Sequence, residues 1–255
     1  MEKKDSFENF IRIVRRLRKE CPWDRKQTHK SIRHSLIEET YEVIEAINRD
    51  NPVELKQELG DILLHIVLHS VMAEEKQAFT IDDVIESISE KMTRRHPHVF
   101  GNISVKNADE VKRNWEHIKL KEGRKSVIDG VPREMPALLR ALRIQEKASK
   151  VGFDWNRKSD VWEKVVEEIN ELSDAERSRK KRKIKEEFGD VLFALVNYSR
   201  FIGVNPEFAL NGSIDKFSKR FGHIEDELKK RGKSIQKTSL KEMDDIWNSR
   251  KKKES

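Results

Sequence analysis

Two pairs of acidic residues occur twice in this sequence at one fixed spacing. Glu39 and Glu42 form the first pair, and Glu58 and Asp61 form the second. Residues three apart on a helix share a face, so each pair presents two carboxylates together. Four carboxylates at close range repel one another, and hard divalent cations such as Mg²⁺ or Mn²⁺ are their natural partners. The predicted metal ligands are Glu39, Glu42, Glu58 and Asp61 and, 129 residues later, Glu168, Glu171, Glu187 and Asp190.

Two other interpretations apply to these acids. Solvent-facing salt bridges are common in a chain with 39% charged residues, but Asp61 and Asp190 interrupt strongly apolar helices, where an unpaired carboxylate is costly. A di-iron site needs Glu-x-x-His on two helices, and none of the eight histidines has an acid three residues before it. His65 follows Asp61 by four residues and could be recruited, but the second repeat has Ala194 there. The pattern therefore favours Mg²⁺ or Mn²⁺ over iron.

Cations and tryptophans recur beside the acids. Pairs of cations four residues apart can clamp a polyphosphate, although an isolated pair is more often solvated. A Trp followed by Lys can flank a nucleobase, or the Trp can be a hydrophobic anchor. The predicted substrate contacts of this kind are Lys91, Arg95, Trp115 and Lys119 in the first repeat and Lys216, Arg220, Trp247 and Lys251 in the second.

Asn197 distinguishes the two repeats. It lies seven residues after Asp190, two helical turns along the same side, whereas the first repeat has Leu68 at that place. An amide can hold a phosphate, a ribose or a ligand carboxylate, and leucine cannot. We therefore predict that Asn197 contacts the substrate, and that the second repeat is the more active if one dominates.

The elements that must position these residues are helices. The 255-residue chain has ten Gly, six Pro and an abundance of helix-forming residues, which predicts an all-α fold. Residues 123–136 contain two Gly and two Pro among charged residues, which is typical of a linker. We therefore predict one domain over residues 1–122 and a second over residues 137–255. The two domains are tandem copies of one unit. Each copy has too few helices to cover its own apolar faces, so we expect dimerisation to complete the bundles. The predicted helices are 7–17, 31–48, 52–75, 80–95, 107–121, 163–172, 185–203, 206–231 and 239–251.

Composition excludes several classes of protein. The single cysteine, Cys21, rules out an intrachain disulfide and a thiol-rich metal site. The N-terminus lacks a signal-peptide pattern, and the sequence predicts no membrane span, so a cytoplasmic protein is expected. The net charge is +7, but acids are interspersed with bases, so nucleic acid is an unlikely partner. Residues 176–185 are strongly basic and are interpreted as a solvated loop between helices.

The motifs resemble the MazG nucleoside triphosphate pyrophosphohydrolases. The matching segments are Glu38-Glu-Thr-Tyr-Glu42 followed by Glu58-Leu-Gly-Asp61, then Lys91-Met-Thr-Arg-Arg-His-Pro-His-Val-Phe100, and Asp129-Gly-Val-Pro132. The resemblance implies a helical-bundle homodimer that uses Mg²⁺ to hydrolyse nucleoside triphosphates, NTP or dNTP, between the α and β phosphates. It also implies that the two acidic quartets bind the metal and that Lys216, Arg220, Trp247 and Lys251 contact the substrate.

Some assignments stay open at this point. The proton of the attacking water could pass to a quartet carboxylate or to Glu38 and Glu167 beside the quartets. Two other functions fit the sequence: a regulator that binds nucleotides or nucleic acid without catalysis, and a Mg²⁺-dependent inorganic pyrophosphatase. Neither quartet lacks an acid, which disfavours the regulator.

Overall fold

The computed structural model describes residues 5–108, 110–111, 114–115, 118 and 126–254, and these contain helices and turns but no strand. The all-α prediction is confirmed. The helices with assigned bounds are α1 (Asp5–Glu20), α2 (Arg33–Asn48), α3 (Pro52–Glu74), α4 (Ile81–Arg95), α5 (Pro97–Phe100), α6 (Ala137–Ser149), α7 (Lys158–Ser178), α8 (Lys181–Phe201), α9 (Pro206–Lys230) and α10 (Leu240–Glu254). The predicted helix over 107–121 falls partly outside the described residues.

Two helical hairpins, α2–α3 and α7–α8, carry the acidic quartets. The first reverses direction within three residues, and the Asn51 side chain caps α3 by accepting from the backbone N–H groups of Val53 and Glu54. Asp50 and Arg179 both adopt the left-handed conformation, with φ values of 50° and 54°. These two residues are 129 positions apart, the same offset as the acids. Equivalent turns therefore bring equivalent helices together.

The turn of the second hairpin is shorter than the sequence indicated. The structure continues α7 to Ser178 and begins α8 at Lys181, so only Arg179 and Lys180 lie between the helices. The prediction of a loop over 176–185 is wrong in extent, because lysine and arginine are good helix formers and one left-handed residue suffices to reverse the chain. The predicted solvent exposure of the basic residues is confirmed.

The chain divides into two compact units, residues 1–108 and 109–255. In unit 1, α1 packs on α3 around a core that includes Val14, Val67 and Met72. In unit 2, α6 packs across α8, and α9 pairs with α10 through Ile224, Leu228 and other apolar residues. Helix α6 was missed by the sequence patterns. The predicted linker at 123–136 stays a prediction.

No helix in the described parts of the chain combines the length and apolarity needed to cross a bilayer.

Candidate active site

The first acidic quartet converges between α2 and α3. Glu39, Glu58 and Asp61 each place a carboxylate oxygen within 4.8 Å of the others. Burial, then the charges of Asp61 and Glu42, raises the pKa of Glu39, while burial and Glu42 raise the pKa of Glu58. Both shifts thus have burial as their main cause and the neighbouring negative charges as a further one. Such a set of oxygens fits a hard divalent cation.

The second quartet converges between α7 and α8 with a different set of three acids, in which the equivalent of Glu42 takes the place of the equivalent of Asp61. Glu168, Glu171 and Glu187 bring carboxylate oxygens within 4.8 Å of one another. Glu168 and Glu187 are only 8% and 7% exposed. Burial and Glu171 raise the pKa of Glu187, and Asp190 adds to that rise. Asp190 is outside the tight group of three but lines the adjoining cavity.

Two lysines enter the second quartet that sequence reasoning did not single out. Lys164 Nζ lies 2.7 Å from Glu168 and 2.9 Å from Glu167. Lys183 Nζ lies 3.9 Å from Glu187 and lowers its pKa against the effect of burial. Each lysine precedes its acid by four residues, which is the helical spacing for an ion pair, so both pairs could have been predicted from the sequence. The first repeat has Ser35 and Glu54 at these two positions.

A cavity of about 590 Å³ adjoins the second quartet within unit 2. Its polar wall contains Lys164, Glu168 and Asp190. Its apolar wall is formed by α6, α8 and the segment between α6 and α7, and includes Ile144, Ala148, Phe153, Trp155 and Phe193. Carboxylates at one side and aromatic rings at the other suit a ligand with a charged end and a flat apolar end.

Arg200 links two parts of the cavity wall. Its guanidinium makes a two-point pair with Asp154, with one contact of 2.8 Å, and so anchors the segment that carries Phe153 and Trp155 to α8. The hydrogen bond with Arg200 holds the pKa of Asp154 below its ordinary value. Arg200 also donates to Asn197 Oδ1 at 3.0 and 3.3 Å. Because the oxygen of Asn197 is engaged, its NH₂ group is the part left to donate toward a ligand.

The predicted substrate contacts on α9 and α10 lie elsewhere in unit 2. Trp247 packs against Phe217, with ring centroids 5.4 Å apart, and Arg220 stacks over Trp247 at 5.5 Å. Lys216 and Lys251 are exposed on α9 and α10. None of these four predicted residues lines the cavity beside the acids. Asn197 is the predicted substrate contact that does.

The corresponding residues of the first repeat are only partly described. Lys91 and Arg95 are half-buried on α4, one turn apart. Trp115 is half-buried and helical, in unit 2 rather than unit 1. Lys119 lies outside the described residues.

The chain is similar to proteins of one family. The family profile described as "MazG nucleotide pyrophosphohydrolase domain" matches residues 27–100 and 158–224, so each match contains one acidic quartet. The "Nucleoside triphosphate pyrophosphohydrolase/pyrophosphatase MazG" of Thermotoga maritima is 45% identical over 96% of this chain and 95% of its own length. The "Nucleoside triphosphate pyrophosphohydrolase" of Escherichia coli K12 is 39% identical over 98% of both chains. The crystal structure of a mazG-related protein from Thermotoga maritima covers 44% of this chain and 98% of its own, at 26% identity and a TM-score of 0.40.

Proposed function

This chain belongs to the MazG nucleotide pyrophosphohydrolase family, and we propose that it hydrolyses nucleoside triphosphates between the α and β phosphates, releasing a nucleoside monophosphate and pyrophosphate. The observation that carries the proposal is the convergence of carboxylates from two helices in each unit. The names of the well-covered relatives support triphosphates as the substrate class.

We propose Mg²⁺, or Mn²⁺, as the ion that the two acidic quartets hold. The donor set fits such an ion because it consists of carboxylate oxygens, which hard cations prefer. The raised pKa values of Glu39, Glu58 and Glu187 support the same conclusion, since burial raises them first and neighbouring acids raise them further, and a cation would favour the ionised carboxylates against both effects. When bound, the metal would supply positive charge opposite the triphosphate and a more acidic water.

The protein's own groups would handle the proton and the leaving group. A quartet carboxylate, or Glu38 and Glu167 beside the quartets, would accept the proton of the attacking water. Glu167 is held by Lys164 at 2.9 Å. The same ammonium group is close enough to the acids to pair with a phosphate oxygen once a cation takes its place on Glu168.

We propose that the cavity of unit 2 receives the nucleoside end of the substrate. Phe153, Trp155 and Phe193 offer rings that any base can stack on, and Asn197 offers a donor for the sugar or a phosphate. Lys216, Arg220, Trp247 and Lys251 stay proposed substrate contacts, although they lie outside the cavity. The proposed substrate contacts of the first repeat are likewise Lys91, Arg95, Trp115 and Lys119.

We further propose that the protein acts as a homodimer. Each unit leaves an equivalent apolar stripe exposed on the second helix of its hairpin: Leu59, Leu63 and Ile66 on α3, and Phe188, Leu192 and Leu195 on α8. The stripes are again 129 residues apart. Exposed apolar rows of this kind mark surfaces that another helix covers.

The test is to incubate the full chain with each of the common NTPs and dNTPs, with Mg²⁺ or with excess EDTA, and to separate pyrophosphate from orthophosphate. Monophosphate with one equivalent of pyrophosphate, only in the presence of metal, supports the proposal. Orthophosphate from added pyrophosphate alone would indicate an inorganic pyrophosphatase. Tight nucleotide binding without turnover would indicate a regulator.

A further inference from the structure

Unit 1 contains a cluster of histidines next to its acidic quartet. Half of the eight histidines of the chain belong to it: His29, His34, His65 and His69. The rings of His29 and His69 stack at 5.1 Å with their Nδ1 atoms 2.8 Å apart, and the rings of His65 and His69 are 6.2 Å apart. His34 acts electrostatically on His65. We propose that His65 and His69 form a site for a borderline transition-metal ion such as Zn²⁺, distinct from the carboxylate cluster.

The spacing of the two residues suits chelation. His65 and His69 are one turn apart on α3, so their side chains project from the same face. Imidazole nitrogens bind Zn²⁺ at about 2.0–2.1 Å. Modest rotation of two rings with centroids 6.2 Å apart would place one nitrogen of each on the same ion.

Two nitrogens in this cluster are buried without a hydrogen-bond partner, and they are His65 Nδ1 and His69 Nε2. The His65 side chain belongs to a residue only 8% exposed, so solvent does not compensate for the missing bond. A buried polar atom left unpaired costs free energy, and a native structure normally supplies a partner, such as a water or an ion. A metal ion between the two rings would satisfy both atoms.

His29 forms a hydrogen bond with the ring nitrogen of His69 that the proposed metal would not use. One of the Nδ1 atoms of His29 and His69 donates and the other accepts. When His69 donates, its ring orientation is fixed and its Nε2 carries the free lone pair. Metal-binding histidines typically use the second ring nitrogen in this way.

The electrostatics favour the protonation state that binds metal. Burial, then the neighbouring imidazoles of His29 and His65, lowers the pKa of His69. Burial likewise lowers the pKa of His65, partly opposed by Asp61. Neutral imidazole is the ligand form. Nitrogen ligands also select Zn²⁺ and its neighbours over Mg²⁺, which the oxygen-only quartets favour.

The second repeat supplies an internal comparison. At the positions 129 residues after His65 and His69 it has Ala194 and Tyr198. Tyr198 packs against Trp162 at 4.9 Å. Both repeats have the acidic quartet, but only the first has histidines one and two helical turns after it. The proposed nitrogen site is therefore a feature of the first repeat and not of the acids that both repeats contain.

The experiment uses the full chain, freed of metal and then held in excess Mg²⁺ so that the carboxylates are occupied. Co²⁺ is added as a spectroscopic probe, Zn²⁺ is titrated in competition, and binding is followed by visible absorption and by calorimetry. We expect one equivalent of Co²⁺ with the intense visible bands of tetrahedral coordination, displaced by Zn²⁺. His65→Gln and His69→Gln should each weaken binding at least about tenfold, while His223→Gln leaves it unchanged.

Either of two results would overturn the proposal. The first is the absence of such bands in the unmodified protein, which needs no variant and therefore does not depend on how the variants fold. The second is Co²⁺ binding that is lost in Asp61→Asn but kept in the histidine variants, which would place the ion on the carboxylates. Because the readout is metal binding in Mg²⁺-saturated protein, neither result depends on whether the enzyme hydrolyses triphosphates.

Discussion

Lys164 Nζ lies 2.7 Å from a carboxylate oxygen of Glu168, while the equivalent place in the first repeat is occupied by Ser35. The second acidic cluster thus has a lysine of its own at a position where the first has a neutral side chain. The hydrogen bonds with Glu168 and Glu167 raise the pKa of Lys164, so this cation stays charged at any physiological pH. The two repeats share their acidic residues but differ in the charge beside them.

This difference predicts the effect of Lys164→Gln on metal binding. Without the ammonium group, Glu168 is free for the metal, so the Mg²⁺ concentration for half-maximal binding should fall by about two- to fivefold, the size expected of one partly exposed ion pair. Calorimetry at low ionic strength measures it. Lys185→Gln, on the exposed surface of α8, is the matched control. Weaker Mg²⁺ binding by Lys164→Gln would contradict the idea that Lys164 and the metal compete for Glu168.

The unequal repeats can be separated by removing one ligand charge from each. We expect Asp190→Asn to reduce turnover of triphosphate on the order of 100-fold, a typical cost of losing one electrostatic contact to the transition state, and Asp61→Asn to reduce it much less. The reason is that the cavity and Asn197 adjoin the second quartet. Steady-state kinetics at saturating Mg²⁺ measures both. The reverse order would assign catalysis to unit 1.

The first quartet predicts a pH dependence of stability. Glu39 and Glu58 have native pKa values above the ordinary 4.5, so the folded state holds more protons than the unfolded state just above that pH. The contribution of these two carboxyls to the free energy of unfolding should therefore fall as pH rises from about 4.5 through the raised values. His65 and His69, whose pKa values are lowered, contribute in the opposite direction, so the contribution of the acids is measured as the difference from a variant that lacks one of them. Mg²⁺ should flatten this slope, because it binds the ionised folded form.

Urea unfolding between pH 4.5 and 7, in EDTA and in Mg²⁺, tests this dependence. Glu39→Gln should reduce the slope in EDTA, whereas Glu86→Gln, on the exposed surface of α4, should leave it unchanged. A slope that is the same with and without Mg²⁺ would mean that the acids do not hold the metal.

The Arg200–Asp154 pair predicts a binding defect. Arg200→Lys removes the two-point grip on the segment that carries Phe153 and Trp155 and the contact that orients Asn197. We expect KM to rise by about tenfold, the cost of one charge-assisted hydrogen bond, with a smaller change in kcat. Arg177→Lys, which alters an exposed pair with Asp174, is the control. An unchanged KM would remove the cavity from the substrate site.

Dimerisation can be tested on the apolar stripe of α8. Leu192→Glu places a charge in the middle of the row, so a dimer closed there should dissociate in light scattering at micromolar concentration. Glu186→Lys changes charge on another side of the same helix and should leave the assembly intact. An unmodified protein that is already monomeric would end this proposal.

The acidic hairpins were predictable because their signals are local. The predicted helices 31–48 and 52–75 differ by two residues or fewer from α2 and α3, since Asn51 and Pro52 mark the turn and the acids follow helical spacing. The Arg200–Asp154 pair was not predictable, because it joins residues 46 positions apart through a segment without periodicity. Helix α6 was missed because its apolar face follows a stretch rich in Gly and Pro.

The tip of the α7–α8 hairpin, the turn with the last and first helical residues beside it, carries most of the net charge of the protein. Residues 176–185 hold seven basic side chains and one acid, which is six of the seven net positive charges. The equivalent turn of the first repeat, 47–56, is electrically neutral. The remainder of the chain is nearly balanced, so the sequence pI of about 9.3 reports one hairpin tip rather than a generally basic surface. The molecule should therefore bind a cation exchanger mainly through this tip, and a chain with the tip neutralised should elute at a lower salt concentration at neutral pH.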